Sequence, residues 1–324
     1  MLHSRKILLL FLLLPALLST CKKAVTHPDY RSEMRTFVER ISAAGKAMKP
    51  GFIVIPQNGL ELLSSDGTPA GNAETEYLQA IDGVGQEELF YGYDNHDDMQ
   101  TPGPDHAQLL GMCRFARDHG KKVLVTDYCS TPGKISDSYS QNNAEHFISF
   151  AATHRDLDNI PSPSPFYPDS TGIDSLSSAR NFLYLIDPSA FATKDDFIRA
   201  VAQTDYDVVV MDLFFDGNDA FTAADLARLR TKASGATRKL VCYMSIGEAE
   251  NYRWYWKPFW YATPPPFLVA DDPQWAGNYI VRYWDPSWQQ IICGANDSYL
   301  RKAVDAGFDG VYLDIIDAYE FFEQ

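Results

Sequence analysis

Short apolar runs rich in β-branched residues recur along the chain, and turn or polar residues follow each of them. Such runs are typical of strands that are buried on both faces of a parallel sheet. The pattern predicts eight strands, at 52–56, 83–91, 123–128, 147–152, 182–186, 208–213, 240–246 and 310–316. The signal is weakest in the second of these segments.

Several segments between the strands have apolar residues at helical spacing. In the first, at 31–48, the repeating positions are Met34, Phe37, Val38 and Ile41. The same periodicity predicts helices at 105–119, 194–203, 222–232 and 287–306, the last with Ser287 as its N-cap after Pro286. Alternating strands and helices predict an α/β fold with a parallel sheet and right-handed crossovers. Eight such units favour a closed (β/α)8 TIM barrel.

The order of the elements is unusual for such a barrel, because a helix precedes the first strand and none follows the last. The two irregularities cancel if the first helix packs after the last strand, as in a circularly permuted chain. The Pro- and Ser-rich segment at about 161–180 is then the permutation connector. The alternative is a barrel that lacks its last elements, but the presence of eight strands favours permutation.

The first residues have the pattern of an export signal. Arg5 and Lys6 precede an apolar run at 7–18, which is too short to span a bilayer stably, and small residues lead to Cys21. A cysteine at the cleavage point resembles a bacterial lipobox, although Thr20 is less usual before it than Gly or Ala. We predict a lipoprotein signal peptide at 1–21 with lipidation at Cys21, a tether at 22–29 and one barrel at 30–324. The protein is then a lipid-anchored periplasmic or outer-membrane protein of the cell envelope.

Acidic residues outnumber basic ones by 43 to 28, which gives a formal net charge of −15. Such a surface repels nucleic-acid phosphate and anionic lipid, although solubility alone explains it equally simply. We predict no nucleic-acid partner, membrane contact only through the lipid anchor, and a monomer. The cysteines beyond Cys21 form no C-x-x-C pair, and Cys242 in its apolar strand is predicted to be a buried free thiol.

Several motifs that carry chemistry are absent from the sequence. There is no G-x-G-x-x-G, Walker or G-x-S-x-G motif, which argues against nucleotide enzymes and standard serine esterases. The densest ligand-like run, Asn-His-Asp-Asp at 95–98, has no matching His pair elsewhere and is predicted to be a solvated loop. We therefore predict neither a metal nor a cofactor.

Carboxylates at the C-terminal ends of strands are the first catalytic candidates, because barrel active sites lie there. Asp314 follows an apolar strand, and a carboxylate in such a position is normally paired, metal-bound or catalytic. Glu87 and Glu88 end another strand, where alternation sends one of them inward. Alternatively, Asp314 has a structural role in holding a loop, and Glu87 and Glu88 both face solvent.

Three blocks of sequence resemble one family. They are Tyr-Met-Ser-Ile-Gly-Glu-Ala-Glu-Asn-Tyr at 243–252, Gly-Phe-Asp-Gly-Val-Tyr-Leu-Asp-Ile-Ile-Asp-Ala-Tyr at 307–319, and 52–59 together with 87–91. The blocks resemble glycoside hydrolase family 114, the barrel family related to endo-α-1,4-polygalactosaminidases. The resemblance implies that Asp314 is a catalytic aspartate and Glu87 the second carboxylate. In that family the equivalent of 182–318 precedes the equivalent of 31–160, so the halves are swapped here.

Other residues at strand ends suit the recognition of sugar hydroxyls: Gln57, Asn58, Asp127, Asp212, Tyr243 and Glu248, with Asp317 and Tyr319 beyond Asp314. For Glu248 an ion pair with Arg253 that orders the loop is the alternative. All six tryptophans lie between Trp254 and Trp288, on a segment expected to overhang the catalytic face. Trp254 and Trp284 are candidates for stacking on sugar rings, whereas in the alternative the aromatic residues only pack the segment as a lid.

Two functions follow from these residues. The first is an exported glycoside hydrolase, endo-acting on an α-linked galactosamine or N-acetylgalactosamine polysaccharide. In it Asp314 is the nucleophile or base and Glu87 the acid, with nearly interchangeable roles. The second is a surface carbohydrate-binding barrel that keeps the aromatic segment without catalysis. A metal-dependent deacetylase is disfavoured because the His ligands are missing.

Overall fold

The computed structural model describes residues 28–162, 164–217 and 219–324, so the predicted signal peptide and Cys21 lie outside the described residues. The strands are β1 (Ile53–Pro56), β2 (Gly83–Glu87), β3 (Lys122–Tyr128), β4 (Ile148–Ala152), β5 (Phe182–Tyr184), β6 (Val208–Met211), β7 (Phe214–Asp216), β8 (Asp219–Ala220), β9 (Lys239–Ser245), β10 (Glu248–Glu250), β11 (Leu268–Asp271), β12 (Asn278–Val281) and β13 (Gly310–Asp314). Each of the eight predicted strands is present among them. Most are shorter than predicted, because the residues after each ladder turn into the loops.

Parallel strands form two sheets, one in the order β1-β13-β9-β6-β5 and one in the order β2-β3-β4. The sheets meet at β1 and β2, where Gln57 pairs with Gly85 in a parallel bridge. At the opposite side β4 contacts β5. The Tyr184 hydroxyl at one edge of the first sheet donates to Gln57 Oε1 at the other edge, at 2.7 Å. The first sheet therefore curls until its edges face each other, which is consistent with a (β/α)8 barrel.

The interior between the strands is filled by large side chains in close contact. Tyr184 and Tyr312 are buried, with ring centroids 5.2 Å apart. A Cβ placed on Gly85 would lie 1.9 Å from the Tyr312 hydroxyl oxygen, so only glycine fits at this position. The interior is therefore a packed core, and the open space lies at the ends of the strands.

The helices are α1 (Tyr30–Met48), α2 (Thr75–Ala80), α3 (Gly103–Asp118), α4 (Pro132–Ala144), α5 (Lys194–Ala202), α6 (Ala223–Leu229), α7 (Pro286–Gln289), α8 (Tyr299–Ala306) and α9 (Tyr319–Glu323). α1 buries the four apolar positions that its periodicity marks. It contacts both α2, which follows β1, and α8, which precedes β13. None of the described helices has the length and apolar character needed to cross a membrane.

The helix predicted at 287–306 is interrupted, so this prediction was wrong. α7 continues into a π-helical turn at Gln290–Gly294 and stops, and α8 begins after Ser298. The cap of α7 is Asp285, which accepts from Ser287 N at 2.7 Å, and not Ser287 itself. Pro286 occupies the first helical position, where its missing N–H costs nothing.

Candidate functional site

A cavity of about 1010 Å³ opens at the C-terminal ends of the parallel strands. Seven of the predicted site residues line it together: Gln57, Asn58, Glu87, Asp212, Tyr243, Asp314 and Asp317. Asp314 is the last residue of β13 and Glu87 the last of β2. Each side chain thus stands where its strand leaves the sheet, which is the position that barrel enzymes use for chemistry.

Asp314 is held by neighbours on β9. It pairs with Ser245 in the β9–β13 register, and its Oδ2 accepts a hydrogen bond from the Tyr243 hydroxyl. Burial raises the pKa of Asp314 to about 7, the negative charge of Glu87 adds to the rise, and the bonds from Tyr243 and the Ile315 backbone oppose it. The Asp314 carboxyl therefore changes charge near neutral pH.

Glu87 is fixed through both carboxylate oxygens. Oε2 accepts from Asn58 Nδ2 at 2.9 Å, and Oε1 accepts from the Tyr128 hydroxyl. Asn58 Oδ1 in turn accepts from the Glu87 backbone N–H at 3.0 Å. Glu88, with φ of 57°, has a left-handed backbone that turns the chain away from the sheet. Glu87 is thus oriented by its neighbours before any ligand arrives.

The two carboxylates lie on strands that flank β1. Adjacent strands are about 4.8 Å apart, so two intervals separate the β2 and β13 backbones by about 10 Å. Both side chains line the same cavity, and the charge of Glu87 contributes to the raised pKa of Asp314. The two carboxyls therefore interact electrostatically, although their strands are not adjacent.

Asp212 forms part of a buried ion-pair cluster at one wall of the cavity. Arg253 donates to its Oδ1 and Oδ2 at 2.9 and 2.7 Å, and to Glu250 Oε2 at 2.6 Å. Burial lowers the pKa of Arg253, but Asp212 and Glu250 more than reverse this and keep the guanidinium charged. The ion pair foreseen for Glu248 is therefore formed by Glu250, and it orders the segment that begins after β9.

Comparison with known proteins gives this arrangement a context. Residues 190–324 match the model of glycoside-hydrolase family GH114. The predicted resemblance is confirmed over this GH114 segment, which contains Asp212, Tyr243 and Asp314. Glu87 precedes the segment, so its assignment depends on the geometry of the cavity.

Three uncharacterized relatives match parts of the chain. A protein of Deinococcus radiodurans is 40% identical over 123 residues, which are 38% of this chain and 37% of the relative. A protein of Methanocaldococcus jannaschii is 34% identical over 184 residues, 55% of this chain and 49% of the relative. A Thermotoga maritima protein is 48% identical over 84 residues, 26% of this chain and 25% of the relative. The chain thus spans about half or less of each relative's length.

Two further residues of the cavity outside the GH114 segment, Tyr128 and Arg155, were not among the predicted site residues. The Arg155 guanidinium lies over the Tyr128 ring, 4.0 Å from its centroid, and donates to Glu88 Oε1 at 2.8 Å. Tyr128 donates to Glu87, so Arg155 fixes the donor of a candidate catalytic carboxylate. Tyr128 ends β3, so its position at a strand end could have indicated it. Arg155 lies in a loop whose sequence carries no signal of this contact.

Three polar residues predicted to bind ligand lie outside the cavity wall. Asp127 is buried and accepts from Phe90 N at 2.8 Å and Ser138 Oγ at 2.6 Å, which makes it a support for the loop after β2. Glu248 is buried and accepts from Asn278 Nδ2 at 3.0 Å. Burial and the nearby Asp272 raise its pKa to about 8. Tyr319 is buried, with its hydroxyl 3.3 Å from Glu61 Oε2.

The two tryptophans chosen for sugar stacking also lie elsewhere. Trp254 packs edge-on against Tyr299 at 4.9 Å, and Trp284 packs against Phe322 at 4.7 Å. Both therefore stabilise the segment after β9, which is the alternative in which the aromatic residues pack this segment as a lid. Two other aromatic residues of the GH114 segment, Tyr252 and Trp275, line the cavity instead. The spacing of aromatics in an irregular segment does not tell which of them face outward.

The described residues include thiols and residue types that can bind metal ions. Within residues 28–162, 164–217 and 219–324, no group of three or more His, Cys, Asp or Glu is placed to hold a metal ion. Cys242 is a buried free thiol, as predicted. Burial raises the pKa of the Cys242 thiol well above its usual value, which makes it unreactive at neutral pH.

Proposed function

We propose that the protein is a glycoside hydrolase in which Asp314 and Glu87 act as the catalytic pair. One observation carries this proposal: two carboxyls at strand ends share a cavity, and the pKa of one of them is raised to about 7. Glycosidic hydrolysis needs two carboxyl groups in different protonation states, one to donate a proton and one to attack or activate water. The match of residues 190–324 to family GH114 supports the same chemistry.

In the proposed reaction Glu87 protonates the glycosidic oxygen of the leaving sugar. Asp314 either attacks the anomeric carbon, as a nucleophile, or removes a proton from the attacking water, as a base. Asp314 must be ionised for either role, whereas burial favours its protonated form. A substrate ammonium group close to the pair lowers the pKa of Asp314. A cationic substrate therefore favours the reactive form.

Charge in the cavity supports a cationic substrate. Nine carboxylates and two arginines of the described chain line it. Arg155 pairs with Glu88, and Arg253 pairs with Asp212, so most of the remaining negative charge is not compensated. Such a cavity attracts amines and repels anionic polymers. We propose an α-linked galactosamine-containing polymer with free amines as substrate and endo cleavage, since the cavity has room for several sugar units.

The test is an assay of α-1,4-linked galactosamine/N-acetylgalactosamine polymer with the protein from Ala24 onward. We expect new reducing ends and oligosaccharides detectable by mass spectrometry, with faster cleavage of more deacetylated polymer. Absence of products from polymers of every acetylation degree contradicts the hydrolase. If the same protein still binds the polymer, the alternative of a non-catalytic carbohydrate-binding barrel takes its place.

The pH dependence of kcat/KM tests whether the pair needs a proton for catalysis. Because the pair must carry one proton for acid catalysis and Asp314 holds a proton up to a pKa of about 7, kcat/KM is expected to fall as the pH rises through an apparent pKa of about 7. The measurement is kcat/KM from about pH 5 to about pH 9, which reports groups of the free enzyme. Asp317 also has a pKa raised to about 7, mainly by burial, so the Asp317→Asn variant must keep the falling limb. A limb that rises through this pH contradicts the need for a proton on the pair.

We also propose that the strands close into one barrel that is circularly permuted relative to the family. Support comes from α1, which packs between α2 and α8, and from the contact between β4 and β5. The backbone N–H groups of Ile186 and Asp187 donate to Leu157 O, at 3.2 and 3.3 Å, beside the same seam. An experimental structure with β4 and β5 apart contradicts closure.

For the N-terminal pattern we propose export and lipid anchoring at Cys21. The support is the sequence itself, a basic start followed by a short apolar run that ends at a cysteine. Labelled palmitate supplied to the host is expected to enter the parent protein and not the Cys21→Ser variant. Equal labelling of the two contradicts the anchor.

A further inference from the structure

Two exposed aromatic side chains face the cavity at one end. Trp275 is 57% exposed and Tyr252 is 50% exposed, and both line the cavity. The other tryptophans of the segment each lie against an aromatic neighbour, as Trp256 does against Tyr279 at 4.6 Å. Among the described residues no aromatic ring packs on Trp275. A large apolar ring left open to water at a cavity rim is typical of a binding surface.

The backbone brings Trp275 and Tyr252 to the same rim. Trp275 lies in the hairpin between β11 and β12, and Asn278 N donates to its carbonyl oxygen at 3.0 Å. The hairpin is tied to the segment before Tyr252 by a bond from Asn251 N to Gly277 O, at 2.9 Å. Gly277 has φ of +98°, and a Cβ there would lie 2.9 Å from Asn251 Oδ1, so glycine is required for this close approach.

Tyr252 is held in place before any ligand binds. Its hydroxyl donates to Glu250 Oε1 at 2.6 Å, and the Arg253 guanidinium lies 5.1 Å from its ring centroid. Glu250 belongs to the ion-pair cluster with Asp212, so the Tyr252 ring is connected to the wall of the cavity. A ring that is already oriented loses little conformational entropy on binding.

We propose that Trp275 and Tyr252 form an outer sugar subsite, which holds a unit of the chain beyond the one that is cleaved. The ring faces supply stacking for the C–H surface of a sugar, and the amides of Gln274 and Asn278, on the same cavity wall, supply partners for its hydroxyls. This inference rests on the proposed function, because it names where that substrate extends. The subsite makes the protein prefer long chains over short ones.

The test compares Trp275→Ala with the parent on α-1,4-galactosamine oligomers from dimer to octamer. Loss of the ring is expected to lower kcat/KM for the octamer about tenfold, which corresponds to about 1.4 kcal/mol, mainly through KM. On the shortest oligomer that is cleaved the effect stays below about twofold, since that substrate does not reach the subsite. Trp275→Phe, which keeps an aromatic face, recovers most of the loss.

Phe259→Ala is the matched control, because Phe259 is 63% exposed and lies outside the cavity wall. It is expected to leave the chain-length dependence unchanged. An equal loss on short and long oligomers, or the same loss in Phe259→Ala, overturns the subsite. If the parent protein cleaves no oligomer, the Kd of the octamer tests the subsite independently of hydrolysis. A Kd about tenfold higher for Trp275→Ala than for the parent then supports a subsite in a protein without hydrolysis, and an unchanged Kd rules the subsite out.

Discussion

Asp314→Asn and Glu87→Gln are each expected to lower kcat on the polymer by at least about a thousandfold, with little change in KM. The amides keep the shape of the side chains. After Asp314→Asn the side-chain oxygen can still accept from Tyr243, and after Glu87→Gln the amide can still bond to Tyr128, whose hydroxyl both donates and accepts. Each amide removes only the ability to ionise or to carry an acidic proton. A loss of turnover with intact folding therefore reports chemistry.

The matched control is Asp216→Asn, which removes one carboxylate from the rim of the same cavity. It is expected to cost less than about tenfold, through weaker attraction of a cationic substrate. The double variant of Asp314 and Glu87 should be no worse than the more damaged single variant by more than about tenfold, because residues that act as a unit are not additive. If either amide variant keeps more than a tenth of the parent's kcat, that residue is not catalytic.

The regular part of the fold follows from the sequence because burial and periodicity agree there. The four apolar positions of α1 that repeat at helical spacing are the ones it buries against its neighbours. α4 could not be found in this way, because it buries Ser138, Tyr139 and Asn142, a largely polar face that leaves no apolar repeat. α2, with six residues, is too short for a period to be visible.

The catalytic candidates and the ligand-binding candidates differ in how far sequence could place them. Asp314 and Glu87 end strands, and the common direction of parallel strands puts such ends at one face. Asp127 also comes near the end of a strand, yet its side chain turns to the loop after β2. The sequence could not predict this, because alternation along a strand does not fix which face a residue occupies when the register is unknown. Arg155 reaches Tyr128 across the fold, and only the structure brings them together.

Lys232→Met is expected to destabilise the protein more than any surface change, by about 3–5 kcal/mol, because it breaks a buried ion pair on one side. The Lys232 and Asp207 side chains pair and are both 0% exposed. Lys232 Nζ also donates to Asp169 O at 3.0 Å and Thr171 O at 2.7 Å. The variant leaves Asp207 Oδ1 and two carbonyl oxygens without their donor. Urea unfolding measures the loss of free energy.

The loss of stability is expected to begin at the connector at 161–180. Lys232 binds two carbonyl oxygens of this connector and also pairs with Asp207, the residue that precedes β6. Asp207 Oδ2 also accepts from Arg180 N, at 2.7 Å, so both ends of the connector's second half depend on the pair. We expect Lys232→Met to speed proteolytic cleavage within the connector before global unfolding. Arg301→Met is the control. Its partner is Asp305, the pair is 47% and 57% exposed, and its removal should cost less than about 0.5 kcal/mol. Equal losses in the free energy of unfolding for the two variants would mean that Lys232 does not hold the connector, which is the proposed junction between the swapped halves.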